Sequence, residues 1–130
     1  MFALDTNTVI DAMKGLGGVR EKLLQADPSA IAIPSVVLYE LEFGTICSNN
    51  PARRRRDLKA LLGAMDILLF DKKSAEHSAH LRRHLEKSGQ RIGPYDNLIA
   101  GTALGHNAIL VSHNVGEFSR VPGLQLEDWF

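Results

Sequence analysis

The chain begins MFALDTNTVID (Met1–Asp11), and the reading of these residues decides the fold. Phe2, Ala3 and Leu4 make a short continuous apolar run, the pattern of a strand covered on both faces. Asp5 stands where that strand must end, and Thr8–Met13 follows at once with helical spacing. A buried strand passing directly into a helix is the opening of a βαβ unit, which lays strands parallel and helices on the faces of the sheet. Taken alone, Asp5 reads as a helix cap, its carboxylate accepting from first-turn N–H groups and gaining from the helix dipole.

The alternation continues to the end of the chain. Met1–Asp5, Ile31–Ile33, Ile67–Phe70 and Ala108–Val111 are predicted strands, with Gln125–Trp129 a fifth. Helices are predicted over residues 7–14, 19–26, 35–48, 52–65, 72–88 and 95–106, with Pro34-Ser35 and Gly93-Pro94 as start signals. The expected fold class is α/β: a single domain, 1–130, with a mainly parallel sheet between two helical layers. Sheets of this kind gather ligands beyond the carboxyl ends of their strands, which is where Asp5 lies.

Composition narrows the function classes. With 45% hydrophobic and 23% charged residues the chain has enough apolar surface to fold, which excludes a disordered segment. No apolar run approaches the ~20 residues that span a bilayer. No basic leader precedes an apolar core, and the single cysteine, Cys47, excludes an internal disulfide. A cytoplasmic location without membrane contact is the expectation. The formal net charge of zero conceals a division. Residues 51–94 hold eleven Lys/Arg against five Asp/Glu, and the remainder holds four against ten. A basic middle with acid-bearing ends suits a protein that attracts a polyanion and performs acid or metal chemistry on it. It equally suits ordinary patchy charge.

Two further stretches set acids among apolar residues. In VVLYELEFG (36–44), Glu40 and Glu42 lie in a helix that reads as apolar on nearly all sides and therefore buried. An unpaired buried carboxylate is costly, so at least one of the two needs a cation or donors, and periodicity does not say which. In GPYDNLIAGTALG (93–105), Asp96 falls in the first turn of a helix whose small residues imply close packing. Clustered carboxylates repel one another unless a cation joins them. A hard divalent ion, Mg²⁺ or Mn²⁺, takes such oxygen ligands and can activate water against a phosphate.

In these residues the chain resembles the PIN-domain ribonucleases, and among them the VapC-type toxins of bacterial toxin–antitoxin pairs. The resemblance is carried by LDTN at the start, SVVLYELEFG, GPYDNLIAGTAL and LVSHNVGEFSRVPGLQLEDW, in that order and over essentially the whole chain. It implies a PIN-like α/β/α fold and a Mg²⁺- or Mn²⁺-dependent endoribonuclease with Asp5, Glu40 and Asp96 as metal-binding acids. Many members carry a fourth aspartate where this chain has Asn114, so the resemblance implies a three-acid core with Asn114 and Glu117 positioning it. Thr6 and Asn7 are expected to support Asp5 or to meet a phosphate oxygen. The closing segment is similar to a subgroup from enteric bacteria that cuts initiator tRNA. A VapB-like antitoxin and a homodimer are implied in the same way.

Other features are less specific. Arg53–Arg56 point around all sides of a helix, so they cannot form one stripe. Arg53, Arg82 and Arg91 are candidate RNA contacts, as phosphate partners or as ordinary surface residues. His77, His80 and His84 share a helix face, where a solvated surface is the expectation over a transition-metal site. Val37, Leu38, Leu41, Ile46, Leu58, Leu61 and Leu62 offer core packing or an interface. Two other functions fit parts of the pattern. Phosphotransfer through Asp5 lacks a second acid at residue 7, which is Asn. A non-catalytic RNA-binding module would use the acids only as helix caps.

Overall fold

The computed structural model describes residues 1–130. Five strands, β1 (Phe2–Leu4), β2 (Ile31–Pro34), β3 (Asp66–Leu68), β4 (Ile109–Val111) and β5 (Leu126–Glu127), pair entirely in parallel in the order β3-β2-β1-β4-β5. Seven helices connect and cover them: α1 (Thr6–Lys14), α2 (Val19–Gln25), α3 (Ser35–Ile46), α4 (Pro51–Leu62), α5 (Lys72–Lys87), α6 (Pro94–Gly105) and α7 (Val115–Phe118). Successive strand residues face opposite sides of a sheet. Ala3 with Leu4, Ala32 with Ile33, and Leu110 with Val111 are all at 0% exposure, so both faces of the central strands are covered. That is the three-layer arrangement expected from the sequence, with a sheet wholly rather than mainly parallel.

The strand order positions the site. From β1 the chain steps to β2 on one side, and later returns to β4 on the other. The order therefore reverses beside β1, and the loops leaving β1 and β4 diverge there to open a crevice. Asp5 leaves β1 and Ser112–Asn114 leave β4, at the two lips of that crevice.

Several boundaries differ from those predicted. The third strand covers Asp66–Leu68 and not Ile67–Phe70, because β2 pairs with it only as far as Pro34, where α3 begins. Leu69 and Phe70 are exposed beyond it, and Ser35 Oγ accepts the Phe70 N–H at 3.1 Å. Helix α4 stops at Leu62, and a short Gly63–Met65 turn feeds β3. The fifth strand is only Leu126–Glu127, although Trp129 beyond it is buried against the Phe2 ring, 5.1 Å between centroids. Helix α7 and a 3₁₀ turn at Pro28–Ala30 are too short for periodicity to reveal.

Two glycines have stated work. Gly15 ends α1 at φ 70°, a left-handed conformation that costs other residues more, and its N–H returns to Ala12 O. Gly101 lets α6 lie against α5: a Cβ there would collide with Ser78 Oγ and stand 2.9 Å from Ser78 Cα.

Helix α3 corrects the expectation of burial on nearly all sides. Val37, Leu41 and Thr45 face the core, whereas Tyr39, Phe43 and Ile46 are 54%, 60% and 65% exposed. Of the other apolar residues weighed as interface, Leu58 is core and Leu38, Leu61 and Leu62 are partly buried against it.

Candidate active site

Asp5 leaves β1 in extended conformation and caps α1, its Oδ1 accepting the Thr8 N–H at 2.9 Å. Its Oδ2 accepts the Ser112 hydroxyl at 2.5 Å, and its own N–H donates to Val111 O at 3.1 Å. Ser112 Oγ also accepts the Asn114 N–H at 2.9 Å, and Thr8 Oγ1 donates to Val111 O at 3.1 Å. These bonds stitch the first helix to the loop after β4 across the crevice. Asp5 is 4% exposed, so its carboxylate is held in one orientation and nearly dry.

Glu40 enters from the second turn of α3, where the Thr6 hydroxyl donates to its Oε1 at 2.6 Å. Glu42 turns away and pairs with Arg55 at 2.6 Å on a half-exposed surface. The choice that helical periodicity leaves open thus has a physical answer: Glu42 has its own cation and Glu40 has none.

Asp96 stands in the first turn of α6, partly buried. Its carboxyl is pushed up to about 7, first by burial and then by the negative neighbours Glu117, Asp5 and Glu40. Glu117, on α7, is held below its ordinary range by hydrogen bonds from the Asp96 carboxyl and Asn114, with help from the Gly93 N–H and the charge of Arg120. Of these two carboxyls Asp96 is therefore the one that holds a proton more readily. The Asn114 amide donates to Glu117 Oε2 at 2.9 Å and reaches Asp96 Oδ2 at 3.5 Å.

Asp5, Glu40, Asp96 and Glu117 thus share one electrostatic environment, yet none takes part in any ion pair of the molecule. Their oxygen donors and uncompensated charge fit a hard divalent cation. No three acidic or imidazole side chains converge tightly enough to ligate one ion directly. A cation here would draw on water as well as carboxylate, as small hard ions commonly do.

Of the residues predicted for the site, the crevice gathers Asp5, Thr6, Glu40, Asp96, Asn114 and Glu117. Thr6 supports Glu40 and not Asp5, because the first turn of α1 aims its hydroxyl towards α3. Asn7 is exposed and makes no side-chain bond to Asp5. The support for Asp5 comes instead from Thr8 and Ser112, which the sequence reading passes over. Ser112 lies within the quoted LVSHN, two residues before Asn114, and a polar residue directly after a buried strand was the available signal. Arg53 and Arg91 are exposed, and Arg82 pairs with Glu86 at 2.9 Å. His77, His80 and His84 are exposed on α5 and form no metal-binding group. Phosphotransfer through Asp5 finds no support here, because Asn7 stands where the second acid would be needed and its side chain is exposed. No helix is long and apolar enough to cross a membrane.

Comparison with known proteins agrees with this geometry. The family model described as PIN domain matches residues 2–124. A Salmonella typhimurium protein named tRNA(fMet)-specific endonuclease VapC is 34% identical over 128 residues, covering 98% of this chain and 97% of the relative. Ribonuclease VapC2 of Rickettsia felis is 37% identical over 131 residues, covering 99% and 98%. The crystal structure of VapBC2 from Rickettsia felis bound to a promoter DNA fragment superposes with a TM-score of 0.92, at 35% identity and 99% and 98% coverage.

Proposed function

This chain belongs to the PIN-domain family and to the VapC toxins within it, and on that footing we propose that it hydrolyses a phosphodiester bond of transfer RNA with Mg²⁺ or Mn²⁺. The observation that carries this reading is the set of four carboxylates at the crevice with no ion-pair partner. Asp5, Glu40 and Asp96 would hold the cation, directly or through water, and Asn114 and Glu117 would complete its surroundings. A hard divalent ion supplies Lewis acidity there, lowering the pKa of a water and offsetting charge that develops on the phosphate.

The chain's own residues fix the geometry. Ser112 and Thr8 hold Asp5, Thr6 holds Glu40, and Asn114 spans Asp96 and Glu117. Locking these donors before substrate arrives removes reorganisation from the reaction. Asn7, exposed two residues after Asp5, is free to meet a phosphate oxygen. Arg53 and Arg91 are free to attract the backbone, and Arg82 does so in competition with Glu86.

The names of the relatives support initiator tRNA as the substrate, and the VapBC2 assembly supports a cognate VapB-type antitoxin. The exposed Tyr39, Phe43 and Ile46 on α3 support a homodimer. The protein then acts in the cytoplasm, where its RNA and its antitoxin are made.

The test is incubation of the purified, chelator-treated chain with total tRNA, with and without added Mg²⁺, followed by end-mapping of the products. Discrete fragments, enriched for initiator tRNA and present only with the ion, are expected. Equal cleavage in chelator, or intact tRNA in both samples, overturns the reading.

A further inference from the structure

A second concave surface lies away from the carboxylates. The end of α1, the turn after α3 and the start of α4 enclose a cleft of about 350 Å³, lined by Lys14, Ser48, Asn49, Asn50, Arg53, Arg54 and Asp57 and by one apolar residue, Met13. The side chains of Lys14, Arg53 and Arg54 take part in no ion pair and donate no hydrogen bond. Arg20, Arg55, Arg82 and Arg120 are engaged, with Met13 O, Glu42, Glu86 and Arg91 O, and the other unpaired arginines, Arg56, Arg83 and Arg91, line no part of this cleft. Three cations face one acid, Asp57, in a hollow whose remaining lining, Met13 apart, is amide and hydroxyl groups. Such a lining favours phosphate oxygens over an apolar ligand.

The cleft also lies along a path from the site. Asp5 caps α1 and Lys14 ends it, nine residues later, which is about 14 Å along the helix axis. Asn7, Asp11 and Lys14 follow one another at spacings of four and three residues, and Asn7 and Lys14 at its ends are exposed. Asp11 is the one acid on that line and is half-buried. A stacked strand advances ~3.4 Å per nucleotide, so the interval matches about four nucleotides.

We propose that this cleft is a second RNA-backbone site, in which Lys14, Arg53 and Arg54 bind phosphates about four nucleotides from the scissile bond. The proposal rests on the ribonuclease reading and adds to it a requirement for substrate length. Phosphate contacts of this kind position a strand without reading its sequence, so the site favours extended RNA of any sequence.

The test uses the Asp5→Asn chain, to hold RNA uncut, with unfractionated tRNA and a tetranucleotide RNA as probes. Binding is measured over a range of salt concentrations for Asp5→Asn, for the same chain carrying Lys14→Gln, Arg53→Gln and Arg54→Gln, and for a control carrying Lys22→Gln, Lys73→Gln and Lys87→Gln. Thermal melts establish that all three fold. Loss of three single-strand phosphate contacts lowers the slope of log affinity against log salt by about 2, hence affinity for tRNA about 100-fold near 0.1 M salt. The advantage of tRNA over the tetranucleotide should shrink with it, and the control should match the parent. Equal losses in test and control variants overturn the proposal, as does unchanged tRNA affinity alongside weakened antitoxin binding. If the wild-type chain binds tRNA through these three residues but cuts nothing, the cleft stands and the ribonuclease reading fails. If it cuts tRNA and the three residues are indifferent, the cleft alone fails.

Discussion

Ser112 donates its hydroxyl to Asp5 Oδ2 across 2.5 Å, joining the loop after β4 to the end of β1 over 107 residues of sequence. The bond spans the crevice where the strand order reverses, so the sheet itself sets the orientation of the buried carboxylate. Ser112→Ala leaves that oxygen without its protein donor. A support of this kind is worth about 10–100-fold in activity. The variant should therefore lose kcat on tRNA by that factor, with a near-native circular dichroism spectrum, and single-turnover cleavage measures it.

Glu40 and Glu42 differ by two residues and by their partners. Glu40 is held by Thr6, and Glu42 is satisfied by Arg55. Glu40→Gln should abolish detectable cleavage, whereas Glu42→Gln should stay within about twofold, since an exposed ion pair contributes little. Thr6→Val should fall between them. Initial rates on one tRNA preparation rank all three.

Four carboxylates without ion pairs should make the protein bind divalent cations before any RNA is present. An ion at about 100 times its dissociation constant stabilises the fold by about 2.7 kcal/mol. Mn²⁺ should therefore raise Tm, and by more as pH rises through about 7, where Asp96 gives up its proton. The double variant Asp5→Asn, Asp96→Asn should show no rise. Differential scanning calorimetry with and without the ion decides it.

Asp71 caps α5 by accepting the Ser74 N–H at 2.9 Å and the Ser74 hydroxyl at 2.8 Å. Those bonds, with a smaller contribution from His106, hold its carboxyl below the usual aspartate range. The folded pKa lies below the unfolded one, so this contribution is fully present above about pH 4 and is lost as pH falls through the folded value. Asp71→Asn should flatten the acid limb of the stability profile, as denaturant midpoints between neutral and acid pH will record.

Gly101 and Ser78 meet where α5 crosses α6, and Ser78 Oγ is buried without a partner. Gly101→Ala forces the helices apart and should cost about 1–3 kcal/mol. Ser78→Ala removes an unsatisfied hydroxyl and should be neutral or slightly stabilising. Urea denaturation separates the two.

The layered fold was legible because its central strands are continuous apolar runs and its helices carry start signals such as Pro34-Ser35. The ends of β3 and α4 were not, because they depend on where β2 stops pairing, which is a tertiary fact. Asp5 and Asp96 stand out at element ends, whereas Asn114 and Glu117 were reached only by resemblance, which also singled out Glu40 where periodicity could not. Ser112 and Thr8 escaped because a hydroxyl's partner lies on another strand, unmarked by local spacing. The exposed face of α3 escaped because an apolar helix reads as buried whether its second face meets the core or a partner. The free cations around the cleft are likewise a product of packing: Arg53 to Arg56 look alike in sequence, and the fold pairs Arg55 with Glu42 while leaving Arg53 and Arg54 outside any ion pair.

The most direct measurement compares wild-type and Asp5→Asn chains, both chelator-treated and then resupplied with Mg²⁺, on the same tRNA. Retained RNA binding with at least a ~100-fold loss of cleavage is predicted for Asp5→Asn. Cleavage by Asp5→Asn at the wild-type rate, from protein shown free of contaminating nuclease, would contradict the assignment of this carboxylate cluster as the catalytic centre.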